Sequence, residues 1–306
     1  MPRCRQMVYI WVMHGRILRS AVLILPLLAG CAGQPSHADE PEEQEIALAQ
    51  SFGPHATGTI HGHVIWDGPV PVAEETLVRA IAFNPTLHRN PARFRTPHVP
   101  RVHARNRGVE NAVVYLRGID PARSRPWHHA GARVEFRDRE LVIQQGDRVG
   151  NIGFVRQGSA IEIVNRDVEY HNLHGRGAAF FAQPLLKHHH VHERKLADAG
   201  VVDLTCGAGY YWMHAHLFVA EHPYFVQTDA AGRFTLEGVP AGTYELVCWL
   251  PSWHVVRKQF DPETGIVARL TWVAAREQVQ MVVVRTGTQS ETTYTWTRSA
   301  FEGEGK

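Results

Sequence analysis

Five side chains lie close together in the stretch from residue 161 to residue 225: His171, Cys206, Met213, His214 and His216. Imidazole, thiolate and thioether are soft or borderline donors, and a His/Cys/Met set favours copper over magnesium or calcium. The chemistry to expect is a copper ion held for electron transfer or for copper handling. The segment IEIVNRDVEYHNLHGRG supplies His171, and VVDLTCGAGYYWMHAHLFVAEHPYF supplies the others. Both read as strands that end in loops, which is how one ion collects donors from distant parts of a chain.

A second group, His188, His189, His190 and His192, reads as an exposed loop with weak affinity for copper, zinc or nickel. His174, in the turn NLHGRG, reads as a surface residue. Tyr210, Tyr211, Trp212, Trp249 and Trp253 are expected to fill an interface between two sandwiches, with Trp249 in the core. Catalytic patterns are missing: there is no Gly-x-Ser-x-Gly elbow, phosphate loop or His-Glu-x-x-His helix, so no enzyme activity is expected.

The chain has 306 residues, 44% of them hydrophobic, enough for a full core and about two units. A net charge of +2, with no dense basic helix, argues against nucleic acid as a partner. Arg89, Arg93, Arg95, Arg101, Arg105 and Arg107 lie among prolines in residues 84–108, which read as a solvated irregular loop. Elsewhere short runs of alternating polarity, separated by Gly and Pro turns, predict strands, beginning with GTIHGHVIWDGPVP at residue 58. Residues 74–83 are ambiguous between strand and helix, residues 266–273 and 277–286 are expected to close the sheet, and residues 288–306 read as a polar tail. The fold class is all-β.

Arg3, Arg5, Arg16 and Arg19 precede an apolar run, residues 21–28, too short to span a bilayer. The run ends in Leu28-Ala29-Gly30-Cys31, which resembles the bacterial lipoprotein processing box. That resemblance implies removal of residues 1–30, lipidation of Cys31 and an acidic tether over 31–57. Ala32 after the cysteine implies an outer-membrane anchor facing the periplasm. Cys206 and Cys248 then remain as the thiols able to do chemistry, and in an oxidising compartment they either pair or bind metal.

Thr228, Asp229, Gly232, Phe234, Leu236, Val239, Pro240, Gly242, Tyr244 and Leu246 form a pattern that resembles the carboxypeptidase regulatory-like sandwich, also grouped with carbohydrate-binding-like folds. The opening strand of that module is similar to residues 58–71, which implies a discontinuous domain with halves at 58–125 and 221–287. The fold likeness raises a glycan ligand, which no residue pattern supports. Residues 126–220 resemble a cupredoxin of the plastocyanin type, inserted in or packed on the first sandwich. The resemblance rests on Gly158, Ser159, Asn165, Asp167, His171 and Asn172, and on Cys206 followed by Met213. It implies His171 and Cys206 as equatorial copper ligands, His214 as the third, Met213 as the axial one, and a redox partner protein. In that family a second His follows the Cys by about three residues, whereas here Gly207, Ala208, Gly209, Tyr210 and Tyr211 follow Cys206. The rival reading is a metal-free envelope scaffold in which Cys206 pairs with Cys248.

Overall fold

Four runs in this sequence do not alternate: VVYL, LVCWL, IGFV and HAHLFVA. A strand with one wet face alternates with period two, so an unbroken apolar run must be covered on both faces. These runs are the centres of two inner sheets. The computed structural model describes residues 52–301 except 74, 79–80, 82–91, 187 and 264. Residues 1–51, with the export signal, Cys31 and most of the tether, lie outside the described residues.

The first outer sheet has β1 (Thr57–Asp67) between β18 (Arg233–Pro240), antiparallel, and β23 (Gln289–Thr297), parallel. The inner sheet beside it runs β17 (Phe225–Gln227), β6 (Val113–Arg117), β19 (Gly242–Leu250), β22 (Arg276–Val284). Ile60, Val64 and Trp66 from β1 meet Val114, Leu116, Leu246, Cys248 and Leu250 in one core.

The second inner sheet runs β10 (Ile152–Arg156), β16 (His214–Ala220), β15 (Gly200–Cys206), β12 (His171–Gly177), β13 (Phe181–Leu185). Facing it are β14 (Val191–Lys195), β11 (Ala160–Asn165), β7 (Ala132–Arg137), β8 (Glu140–Gln145) and β9 (Arg148–Gly150). Val134, Phe136, Ile163, Leu173, Leu204, Cys206, Ala215 and Leu217 fill the space between them.

A third core joins the two inner sheets. Val113, Tyr115, Val247 and Trp249, the alternate residues of β6 and β19, pack against Ile152, Phe154, Phe218 and Ala220. Three two-stranded pieces complete the described fold: β2 (Glu75–Val78) with β3 (Ala92–Arg95), β4 (Arg101–Val102) with β5 (Val109–Glu110), and β20 (Val255–Phe260) with β21 (Val267–Trp272). Among the described residues no helix is long and apolar enough to cross a membrane.

The structure corrects four expectations. The expected polar tail, 288–306, is a packed strand as far as residue 301, the last described: QSETTYTWT alternates polar and aromatic residues, pairs with β1, and buries Tyr294, Trp296 and then Phe301. β21 does not close a sheet, because it pairs with β20 alone, while β22 pairs with β19. The arginine-rich segment is not all solvated, since it includes β3 and β4 and buries His98. The five aromatics do not share one interface: Tyr210 and Trp212 sit in the core lined by Cys206, Trp249 in the joining core, and Trp253 against the core of β1.

Trp296 is 1% exposed, and its indole nitrogen donates to Cys248 Sγ at 3.3 Å. Trp296→Ala is expected to cost about 3–5 kcal/mol of stability, the usual range for truncating a buried aromatic. Equilibrium urea unfolding measures this, and a cost below about 1 kcal/mol would mean that the C-terminal strand is not part of the core.

Candidate metal centre

His171 and Cys206 meet across two neighbouring strands. Leu173 is the register partner of Cys206, so His171, two residues earlier on the same face, lies diagonal to it. His171 Nδ1 is 3.5 Å from Cys206 Sγ, and Nε2 is 3.0 Å from Asp167 Oδ2. The ring is clamped between Phe136 at 4.4 Å and Tyr210 at 4.6 Å. Burial alone would lower the His171 pKa, but hydrogen bonds to Asp167 and Cys206 outweigh it and raise it. Asp167 shows the mirror effect: burial pushes its carboxyl up, and His171 with the Arg139 amide pulls it below the usual range.

Met213 is buried in the same core, and its amide donates to the Tyr210 carbonyl at 3.1 Å. The loop between Cys206 and Met213 holds no imidazole. Gly209, three residues after the cysteine, has φ of +85°, a backbone region that disfavours any residue with a side chain.

His214 leaves this group by the alternation of its strand. Thr205 pairs with His214 and Asp203 with His216, so these four side chains share the face opposite to Leu204 and Cys206. The expectation that His214 joins His171, Cys206 and Met213 around one ion is therefore corrected: two of the four touch, one lies in their core, and His214 faces away from it.

On its own face His214 meets two other histidines. His98 Nε2 is 2.8 Å from His214 Nδ1, and His216 lies beside both, with one nitrogen from each of the three within 4.8 Å of the others. His98 comes from the Pro97–Pro100 segment, and Asn151 Nδ2 lies 3.3 Å from its Nδ1. Asp203 Oδ1 accepts from His216 Nδ1 at 2.8 Å and lies 4.0 Å from His214 Nε2. His216 Nε2 is left buried without a hydrogen-bond partner. Trp272 covers His214 and His98, at ring distances of 6.2 and 5.8 Å, and Trp249 meets His216 edge-on at 5.0 Å.

Burial keeps the rings of His98 and His214 neutral. His214 is pushed down to about 3, by desolvation first and then by His216, with Asp203 opposing. His98 is held well below the usual imidazole range, by desolvation first and then by His214 and His216. Neutral imidazole is the metal-binding form, and a carboxylate on one ring nitrogen that leaves the other free is the usual outer arrangement around a metal-bound histidine. A set of three imidazoles suits zinc, copper, iron or nickel.

The spacing of two between His214 and His216 puts both on one face of a strand, but nothing in the sequence marks His98, which is 116 residues away from His214 in an arginine- and proline-rich stretch. The exposed histidine run does not join either group. His190 and His192 stack at 4.5 Å, and His188 Nε2 donates to the Arg166 carbonyl at 2.6 Å.

Solved structures similar to this chain are cupredoxins and a copper enzyme. A point mutant of amicyanin in its oxidized form is 20% identical with a TM-score of 0.24, covering 29% of this chain and 82% of its own. A purple cupredoxin from Nitrosopumilus maritimus is 15% identical at a TM-score of 0.24, covering 29% and 99%. A copper-containing nitrite reductase from Thermus scotoductus SA-01 is 15% identical at 0.25, covering 34% and 25%. No family model matches the chain, and no curated protein matches it.

Cys206 and Cys248 are both free and belong to different cores, so the pairing expected of a scaffold is absent. The Cys248 thiol, buried beside Trp296, is pushed up to about 12, by desolvation against a smaller opposing effect of the indole hydrogen bond. Denatured without reductant, the chain from Ala32 onward is expected to show both of its thiols to a colorimetric thiol reagent. In the native state Cys248 is expected to stay unmodified at pH 8, where its thiolate fraction is negligible. Mass mapping that found a 206–248 crosslink would overturn this arrangement.

Proposed function

We propose that this chain is a cupredoxin-like protein that holds a transition-metal ion, copper first among them, at His98, His214 and His216. The observation that carries this reading is the buried His216 Nε2 without a partner, facing the neutral imidazoles of His98 and His214 while Asp203 fixes the other side of its ring. A buried polar atom left unpaired is costly, and a metal bond satisfies it. When bound, copper would supply one-electron or Lewis-acid chemistry at this point. The three histidines would be its ligands, Asp203 would orient His216, and Trp249 and Trp272 would exclude water. We read the role as metal handling in the cell envelope, with export and a lipid anchor at Cys31 inferred from the basic region, the apolar run and the processing box.

A second reading puts copper on the thiolate, for electron transfer to a redox partner. The 3.5 Å approach of His171 Nδ1 to Cys206 Sγ favours it, and the lack of an imidazole in the following loop weighs against it.

Copper(II) loading followed by dialysis and metal analysis separates the two. About one copper per chain is expected, with only faint visible absorption, and Cys206→Ser should leave both unchanged. His98→Asn with His216→Asn should abolish retention in a protein that still melts cooperatively. An intense thiolate-to-copper band that Cys206→Ser removes would overturn the three-histidine reading. Asp203→Asn is expected to weaken metal affinity about 10–100-fold, the usual effect of removing an orienting carboxylate, as measured by competition with a chelator.

A further inference from the structure

The inner sheet beside β1 has two edges of different kinds. At one edge β17 is three residues long, which leaves little for another strand to pair with. At the other edge β22 runs for nine residues, REQVQMVVV, without a proline or lysine to blunt it. The edge strand of the outer sheet, β23, has carbonyls capped by β22 side chains. Gln278 Nε2 donates to the Thr295 carbonyl at 2.8 Å, and Gln280 Nε2 donates to the Thr293 carbonyl at 3.0 Å.

The direction of the main-chain groups on β22 follows from the ladder. The Leu116 amide donates to the Tyr224 carbonyl at 3.2 Å, so Leu116 faces β17, and its neighbours Tyr115 and Arg117 face β19. Their partners Val247 and Glu245 face back toward β6, which leaves Leu246 and Cys248 to pair with Gln280 and Gln278. The main-chain groups of Val279, Met281 and Val283 therefore point away from the sheet. Ser290 Oγ donates to the Val283 carbonyl at 3.1 Å from that side, as this phase requires. Among the described residues nothing bonds to the outward groups of Val279 and Met281.

The same three residues carry exposed apolar side chains on one face: Val279 is 48% exposed, Met281 66% and Val283 52%. Open main-chain groups and an apolar row on a single strand edge are what another extended strand would cover. β22 itself fits that description. Laid antiparallel on a second β22 about a two-fold axis at Met281, Val279 faces the partner's Val283, and Met281 faces the partner's Met281. At each end Glu277 then faces the partner's Arg285, charge against charge. Arg285 is exposed and is in none of the ion pairs among the described residues. Moving the axis to Gln280 would instead set Val283 against the partner's Glu277, so the side chains select one register.

We propose that β22 is a self-association edge, through which two copies of this chain join their inner sheets into one continuous sheet with two-fold symmetry. The inference stands on the ladder, the exposed row and the match of charges, and does not depend on the metal reading.

The test is sedimentation of the chain from Ala32 onward over a range of concentrations, which leaves the apolar run at 21–28 out of the association. A reversible dimer is expected. Met281→Lys sets two ammonium groups face to face at the axis, and should weaken the dimer at least 10-fold in a protein that melts like its parent, because the side chain is exposed. Met281→Cys should give a disulfide-linked dimer on mild oxidation, since directly opposed residues lie about 5.5 Å apart between Cα atoms, within disulfide reach. Val256→Cys, at a position also 66% exposed but on β20, should not. A monomer at every concentration overturns the proposal, as does a dimer indifferent to Met281→Lys, or equal crosslinking at the two positions. A monomer whose Val279 and Met281 amides resist hydrogen exchange also overturns it, and would mean that another part of the chain covers the edge.

Discussion

The period-two alternation of β15 and β16, in a sheet buried on both faces, decides what this protein can do with its histidines and cysteine. A strand in such a sheet sends neighbouring side chains into two different interiors. Cys206 and Leu204 enter the core shared with Phe136 and Leu173, while His214 and His216 are buried on the opposite face, with Asp203 exposed beside them. One residue of shift would exchange the two sets, so the pairing register is also the assignment of chemistry. That register is held by apolar residues on both sides, Ala215 and Leu217 on one face and Phe218 on the other.

Burial then sets the character of each group. His171 is fully buried but has Asp167 on one nitrogen and Cys206 near the other, and so gains affinity for a proton. His214 and His98 are also buried, and there desolvation, reinforced by the neighbouring imidazoles, lowers that affinity. The same side chain is thus tuned in opposite directions on the two faces of one sheet. Desolvation penalises the charged form in both places, and the neighbour decides whether that penalty is overcome.

Much of this was legible before the fold was known. The alternating runs marked the β class, and the shared face of His214 and His216 followed from their spacing of two. Three things were hidden. QSETTYTWT looked polar because its buried residues are Tyr294 and Trp296, which carry polar atoms of their own, rather than aliphatics. His98 was hidden among arginines and prolines, where local composition argued for solvent, and only a contact across 116 residues shows its role. His214 was drawn to Cys206 by closeness in sequence and by a likeness to copper sites. Strand parity, which was available, pointed the other way once Cys206 was placed in the same hairpin.

The most direct test of a three-histidine centre is X-ray absorption at the metal edge of the zinc-loaded protein, which reads the ligand atoms without relying on activity or colour. Such a centre predicts a shell of nitrogen and oxygen alone at about 2.0–2.1 Å, with imidazole scattering beyond it, and the same spectrum in Cys206→Ser. A sulfur neighbour at about 2.3 Å that vanishes in Cys206→Ser would contradict it and return the metal to the thiolate.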